Sequence, residues 1–237
     1  MSYTIRRSEE RGKVNMGWLN SYHSFSFGHY YDPQWMGFGD LRVINDDTIA
    51  AGGGFAPHPH DNMEIVTYVL SGELAHEDSI GNGSVIQRGD VQRMSAGTGI
   101  VHSEFNHSDE QPTKLLQIWF LPDQRNVEPS YEQKHFSDAE KKGQFCLVAS
   151  KAGLNGSVSL HQDVNMFVTL LDGDDQVDFE VKPDRQAWVQ VAEGSVVING
   201  EFLQTGDAFL TKTAQILRFD QAEHAELVLF DGRLTQN

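Results

Sequence analysis

The chain has a single cysteine, Cys146, which excludes an intrachain disulfide framework. This cysteine usage fits a reducing compartment, with Cys146 read as a buried apolar thiol. Basic residues are scarce: 18 Lys and Arg stand against 34 Asp and Glu, a net charge of -16. Such a surface repels phosphate backbones and anionic lipid, so neither direct nucleic-acid nor membrane binding is expected. The charge is read as solubility. No apolar run approaches the length of a membrane span. Arg6 and Arg7 are followed by Glu9, Glu10 and Arg11 rather than by an apolar signal core, so a cytoplasmic location is expected. Strong helix formers are outweighed by Val, Ile, Phe, Tyr, Thr and Gly, which gives the composition a β colour.

The 237 residues allow one large or two small domains. Turn signals recur at short intervals, among them Gly52-Gly53-Gly54, Ser71-Gly72, Arg88-Gly89-Asp90, Asn199-Gly200 and Thr205-Gly206-Asp207. Runs such as Glu64–Leu70 and Leu115–Phe120 lie between them and have the length and content of strands. The pattern predicts an all-β sandwich or barrel with little helix. The one good helix candidate lies around Ser137–Lys142, where Ser137 caps and Glu140 closes a capping box. A faint internal repeat sets Gln87-Arg88-Gly89-Asp90 beside Gln204-Thr205-Gly206-Asp207. The polar stretch from Pro122 to Gln133 reads as the linker between halves. The expected domains are residues 1–132 and 133–237.

Pro57-His58-Pro59-His60 and His102-Ser103-Glu104 each hold two metal-type ligands two residues apart. Alternate side chains of a strand share a face, so each pair can aim at one point. Glycine-rich turns are expected to place both pairs at strand starts. Together they offer three imidazoles and a carboxylate, a set that suits one divalent first-row ion and leaves coordination positions open for chemistry. The second half has only His161 and His224, with no such pair.

Gly52, His58, His60 and Glu64 follow the first cupin motif, and Gly89, Gly99, His102 and Asn106 resemble the second. The closing glycine of the first motif falls one place late, at Gly72, and Gly97 stands in place of the usual proline of the second. Those departures are the pattern of one branch, the pirin family. Arg11–Leu19, Ser24–Phe27, Met36–Val43, Pro57–Leu70 and Met94–Glu104 all resemble pirins, and the length matches the short bacterial members described as quercetin 2,3-dioxygenases. The resemblance implies two cupin (jelly-roll) β-barrel domains, a bicupin, with one metal site in the first barrel. It implies a mononuclear metal, usually Fe(II), held by His58, His60, His102 and Glu104. It also implies that some members cleave flavonols with O2.

Glu64 lies four residues after His60, so an unbroken strand turns it to the same face. It is left open between a ligand, a base, a group close to the metal that does not bind it, and a strand carboxylate facing water. His76 and His107 are read as exposed, and His23 and His29 as either core or pocket-mouth residues. The acidic run from Asp172 to Asp178 lacks a calcium-loop spacing and reads as a solvated turn. Ser103 points away from the metal and lacks an elbow motif, so no serine hydrolase is expected.

The expected function is metal-dependent dioxygenation of a small aromatic, flavonol-like substrate. The substrate's 3-hydroxyl and neighbouring carbonyl meet the metal, Glu104 or Glu64 receives the proton, and O2 opens the central ring with release of CO. The alternative is a non-catalytic, redox-sensing or regulatory metal protein acting through protein partners. Other first-row metals remain compatible with the ligands.

Overall fold

The computed structural model describes residues 3–235, so the outermost residues of the two expected domains lie outside the description. The chain is all-β, with two cupin domains. The strands of the first half are β1 (Thr4–Arg6), β2 (Gly12–Asn15), β3 (Leu19–His23), β4 (Leu41–Ile49), β5 (Gly54–His60), β6 (Glu64–Ser71), β7 (Glu73–Asp78), β8 (Gly83–Gln87), β9 (Asp90–Ser95), β10 (Ile100–Asn106), β11 (Thr113–Phe120) and β12 (Ser130–His135). A four-residue helix, α1 (Asp138–Lys141), follows, with Ser137 and Glu140 forming the expected capping box. The second half holds β13 (Cys146–Lys151), β14 (Val158–Leu160), β15 (Val164–Gly173), β16 (Val177–Val181), β17 (Arg185–Ile198), β18 (Glu201–Gln204), β19 (Ala208–Thr211) and β20 (Gln215–Arg233). Among the described residues no helix is long and apolar enough to cross a membrane.

The first barrel is a seven-stranded sheet, β12-β9-β6-β11-β4-β3-β2, facing a four-stranded sheet, β5-β10-β7-β8. Two exchanges tie the halves together. β1 leaves its own half and pairs with β19, Ile5 opposite Phe209. β12 crosses residue 132 and pairs with β9, Tyr131 opposite Met94, so the end of the expected linker is strand within the first sheet.

β6 shows how alternation serves two cores. Its residues from Glu64 to Leu70 are all buried because both faces of the strand are covered. Val69 packs inside the first barrel with Ile49, Leu74 and Leu115. Val66, Tyr68 and Leu70 face the other way and join Val148, Trp188, Val228 and Phe230 of the second half in one shared core. Each fully buried aliphatic side chain there contributes roughly 1.5–3 kcal/mol. The seam also carries polar ties, including Arg88 to Glu226 at 3.0 Å and the Tyr68 hydroxyl to the same carboxylate. Cys146 is half-buried against this core, and burial raises its thiol pKa.

The faint repeat is structural. Asp90 accepts the Gln87 N–H at 3.0 Å, and Asp207 accepts the Gln204 N–H at 3.2 Å, so both Gly-Asp turns close alike. Gly89 and Gly206 both adopt positive φ, 85° and 91°, within these turns.

Candidate metal centre

The two ligand pairs meet on adjacent antiparallel strands. β10 pairs with β5 so that His102 lies opposite His58 and Ile100 opposite His60. His58 and His60 therefore end β5 rather than begin it, and His102 and Glu104 sit in mid-strand. Glycine permits the approach: a Cβ on Gly54 would lie 2.5 Å from the Glu104 carbonyl oxygen, and Gly52 turns into the strand at φ +65°. Along β10, Ile100, His102, Glu104 and Asn106 are buried, and Ser103 points to the other face.

His58, His60 and His102 offer one ring nitrogen each within 4.8 Å of one another. His58 Nδ1 meets the Ala56 carbonyl at 2.8 Å, which assigns the proton to Nδ1 and leaves Nε2 as a ligand atom. His102 is 3% exposed and both of its ring nitrogens lack a hydrogen-bond partner. Burial, with His58 beside it, lowers the His60 pKa to about 4. Burial, with His58 and His60 beside it, lowers that of His102 to about 3. Both rings are thus neutral at physiological pH, as metal ligation requires. The two orphaned nitrogens of His102, beside the clustered rings of His58 and His60, fit a divalent first-row ion.

Glu104 is buried and groups with His102 and His76 rather than with His58 and His60. Gln117 Nε2 donates to both of its oxygens, at 3.2 and 3.0 Å, and the Thr67 hydroxyl lies 3.4 Å from Oε1. Burial raises its pKa, against the charge of His76 and the amide of Gln117.

His76 corrects the sequence reading. It is 1% exposed, not a surface residue. β7 pairs with β10 so that His76 lies opposite Glu104, and its Nε2 meets Asp78 Oδ2 at 3.2 Å. Its Nδ1 has no hydrogen-bond partner. Sequence reasoning missed it because the only available signal, an inward-facing histidine two residues from an aspartate, is too common to single out.

Glu64 does not join the cluster. The chain turns at Asn62, φ 47°, between β5 and β6, so the spacing of four from His60 does not preserve the face. Glu64 is 1% exposed and accepts the Ser95 hydroxyl and the His161 N–H, both at 3.0 Å, at the seam between domains. His23 is buried edge-on to Phe27 at 5.3 Å, whereas His29 and His107 are exposed. Asp172 accepts the His224 N–H at 3.0 Å in an exposed turn.

The histidines line a cavity of about 200 Å³. Phe27, Phe55, Ile65 and Trp119 form its apolar walls, and Asn45, Asp47, Gln117 and Glu104 its polar ones. Asp47 is buried, and burial raises its pKa to about 7 against the nearby Ser21 hydroxyl. A larger groove, about 550 Å³, is lined by Trp35, Phe38 and Arg42 and by none of the clustered ligands. Chemistry rather than volume therefore assigns the site.

The Pirin family model matches residues 4–120, and the model of the quercetinase C-terminal cupin domain matches residues 147–231. The chain is 44% identical to the quercetin 2,3-dioxygenase of Escherichia coli K12 over 227 residues, 96% of this chain and 97% of that protein. The crystal structure of YhhW from Escherichia coli superposes with a TM-score of 0.94 at 42% identity, covering 100% of both chains. The structure of bacterial pirin YhhW in complex with nickel(II) gives 0.93 at 42% identity, covering 99% of this chain and 100% of that one. With both domains matched in order and the histidine cluster inside the first, this chain belongs to the pirin family.

Proposed function

We propose that this protein is a metal-dependent oxidoreductase of the quercetin 2,3-dioxygenase type, cleaving a flavonol-like aromatic with O2 and releasing CO. The observation that carries the reading is the cluster of three imidazoles facing a cavity with apolar walls. The relatives named quercetin 2,3-dioxygenase support the substrate class, and the nickel complex of a relative supports a resident ion. His58, His60, His102 and Glu104 would hold that ion, with Fe(II) the choice that suits O2 chemistry. The ion supplies Lewis acidity toward a coordinated hydroxyl and the redox chemistry of O2 activation.

The chain's own residues do the rest. His58 and His60, half-buried, stand on the open side of the cavity, and His102 and Glu104 form its buried side. Trp119 meets His60 edge-on at 4.9 Å and Phe27 at 5.3 Å, so aromatic rings keep water from the reacting atoms. Glu104, its pKa raised by burial and its position set by Gln117, takes the proton from the substrate hydroxyl. Glu64, on the other face of β6, takes no part in this scheme. We place the join between domains just after β12, because that strand pairs with β9. The charge of -16 supports the absence of a nucleic-acid partner, and the single cysteine supports a cytoplasmic location.

The test is oxygen uptake with CO detection, using anaerobically iron-reconstituted protein and quercetin, with His60→Ala alongside. Metal-dependent uptake with stoichiometric CO, lost in the variant, is expected. Fully iron-loaded protein that consumes no O2 would return the chain to the non-catalytic, redox-sensing alternative.

A further inference from the structure

The cavity beside the histidines is small for a three-ring substrate. Pockets that bury a whole drug-sized ligand span roughly 300–1,000 Å³, whereas a cavity of about 150 Å³ holds benzene. At about 200 Å³ this one accommodates a single substituted ring.

Two of its polar wall residues have no assigned work. Asn45 and Asp47 are each well over nine-tenths buried, and each keeps Oδ1 without a hydrogen-bond partner. They stand two residues apart on β4, so they share its inner face. Asn45 lies opposite Gln117 in register, and Asp47 opposite Leu115. Gln117 offers neither residue a donor, because its amide hydrogens go to Glu104, and its Oε1 accepts the Thr67 hydroxyl at 3.1 Å. Leu115 has no donor in its side chain. On the other side of β4, Ser21 lies opposite Asp47 with its hydroxyl near the carboxyl, and His23 lies opposite Asn45, yet neither Oδ1 is taken up. The wall therefore holds buried acceptors with capacity left for a ligand's donors. An anionic ligand is a poor donor and would sit beside the carboxyl groups of Asp47 and Glu104. A neutral phenol supplies donors without that repulsion.

We propose that this cavity is a single-ring subsite that recognises the hydroxyl groups of a neutral polyhydroxylated aromatic through Asn45 and Asp47. One ring enters, and any further rings stay outside the mouth near His58 and His60. The metal that anchors the ring rests on the function proposed above, so the test measures binding without turnover. A site built to accept a hydroxyl discriminates strongly against the analogue that lacks it.

The experiment is calorimetric titration of nickel(II)-loaded protein under argon with catechol, 1,2,4-benzenetriol and quercetin. Wild type is compared with Asn45→Leu and Asp47→Leu, each checked for nickel content and cooperative thermal unfolding. Either variant that folds suffices. The triol is expected to bind wild type at least about tenfold more tightly than catechol and to displace quercetin. In the variants that gap should shrink below about threefold. A gap that survives the substitutions, or single-ring probes that fail to displace quercetin, overturns the subsite. Should wild type consume O2 with quercetin while the gap survives, the oxygenase reading stands without the subsite. Should the gap close while no O2 is consumed, the subsite stands without the oxygenase.

Discussion

The first barrel surrounds histidines, carboxyl groups and amides with a cavity, whereas the second is filled by Val189, Val191, Leu203, Phe209, Leu217, Phe219, Leu227 and Leu229. Both barrels close with the same Gly-Asp turn, so their scaffolds are alike and their interiors differ. The apolar interior contributes roughly 1.5–3 kcal/mol per large buried side chain. The polar interior works against folding, since each buried unsatisfied atom costs about 1–3 kcal/mol. Such atoms cluster at the site, on His76, His102, Asn45 and Asp47. The shared core and the second barrel offset that cost, which gives the second half a physical role in holding the site.

The sharpest way to break the contrast is to make the first interior resemble the second. His102→Leu should abolish metal binding and O2 consumption, read by metal analysis and oxygen electrode. It should also stabilise the metal-free protein, since two buried ring nitrogens without partners are removed; an unchanged metal content would refute the ligand assignment. Next in size, Trp188→Ala removes the largest fully buried side chain from the core that joins the halves. It should cost about 3–5 kcal/mol of stability in denaturant unfolding. Loss of cooperativity there, rather than of stability alone, would show the barrels to be separable.

A pH comparison separates the two interiors further. Burial raises the Asp47 carboxyl from its ordinary pKa of 3.8 to about 7 in the folded chain. The folded state therefore holds this proton more tightly, and the resulting stability is present in full below about pH 4 and is lost as pH rises through about 7. Metal-free Asp47→Asn should match wild type near pH 4 and exceed it by about 4 kcal/mol at pH 8. Parallel stability curves for the two proteins would contradict this. The smallest effect is expected at His76→Phe, which keeps the ring against Tyr131 but removes the nitrogen facing Glu104. Metal affinity should fall about 10–100-fold with little change in unfolding. A shift of melting temperature with intact affinity would make His76 a packing residue only.

Strand-length runs such as Glu64–Leu70 and Leu115–Phe120 were legible because a covered strand needs apolar or β-branched side chains wherever it meets a core. The two ligand pairs were legible because a spacing of two is the period of a strand. His76 was not, since its importance comes from lying opposite Glu104 across β7 and β10, 28 positions apart in the chain. The bearing of Glu64 stayed open for the converse reason: its spacing from His60 carries facing information only in an unbroken strand, and the turn at Asn62 breaks it.

The sequence by itself determined the β architecture, the short capped helix, the Gly-Asp turns and the spacing of two within each candidate ligand pair. Each follows from local chemistry, namely side-chain period, capping hydrogen bonds and the freedom of glycine. Only the tertiary structure decided that β1 crosses to the second sheet, that β12 stays with the first, that Glu64 serves the seam and that Asn45 and Asp47 wall the cavity. Those are matters of register and of which face a neighbour covers, and both are set by packing between segments that local sequence does not encode.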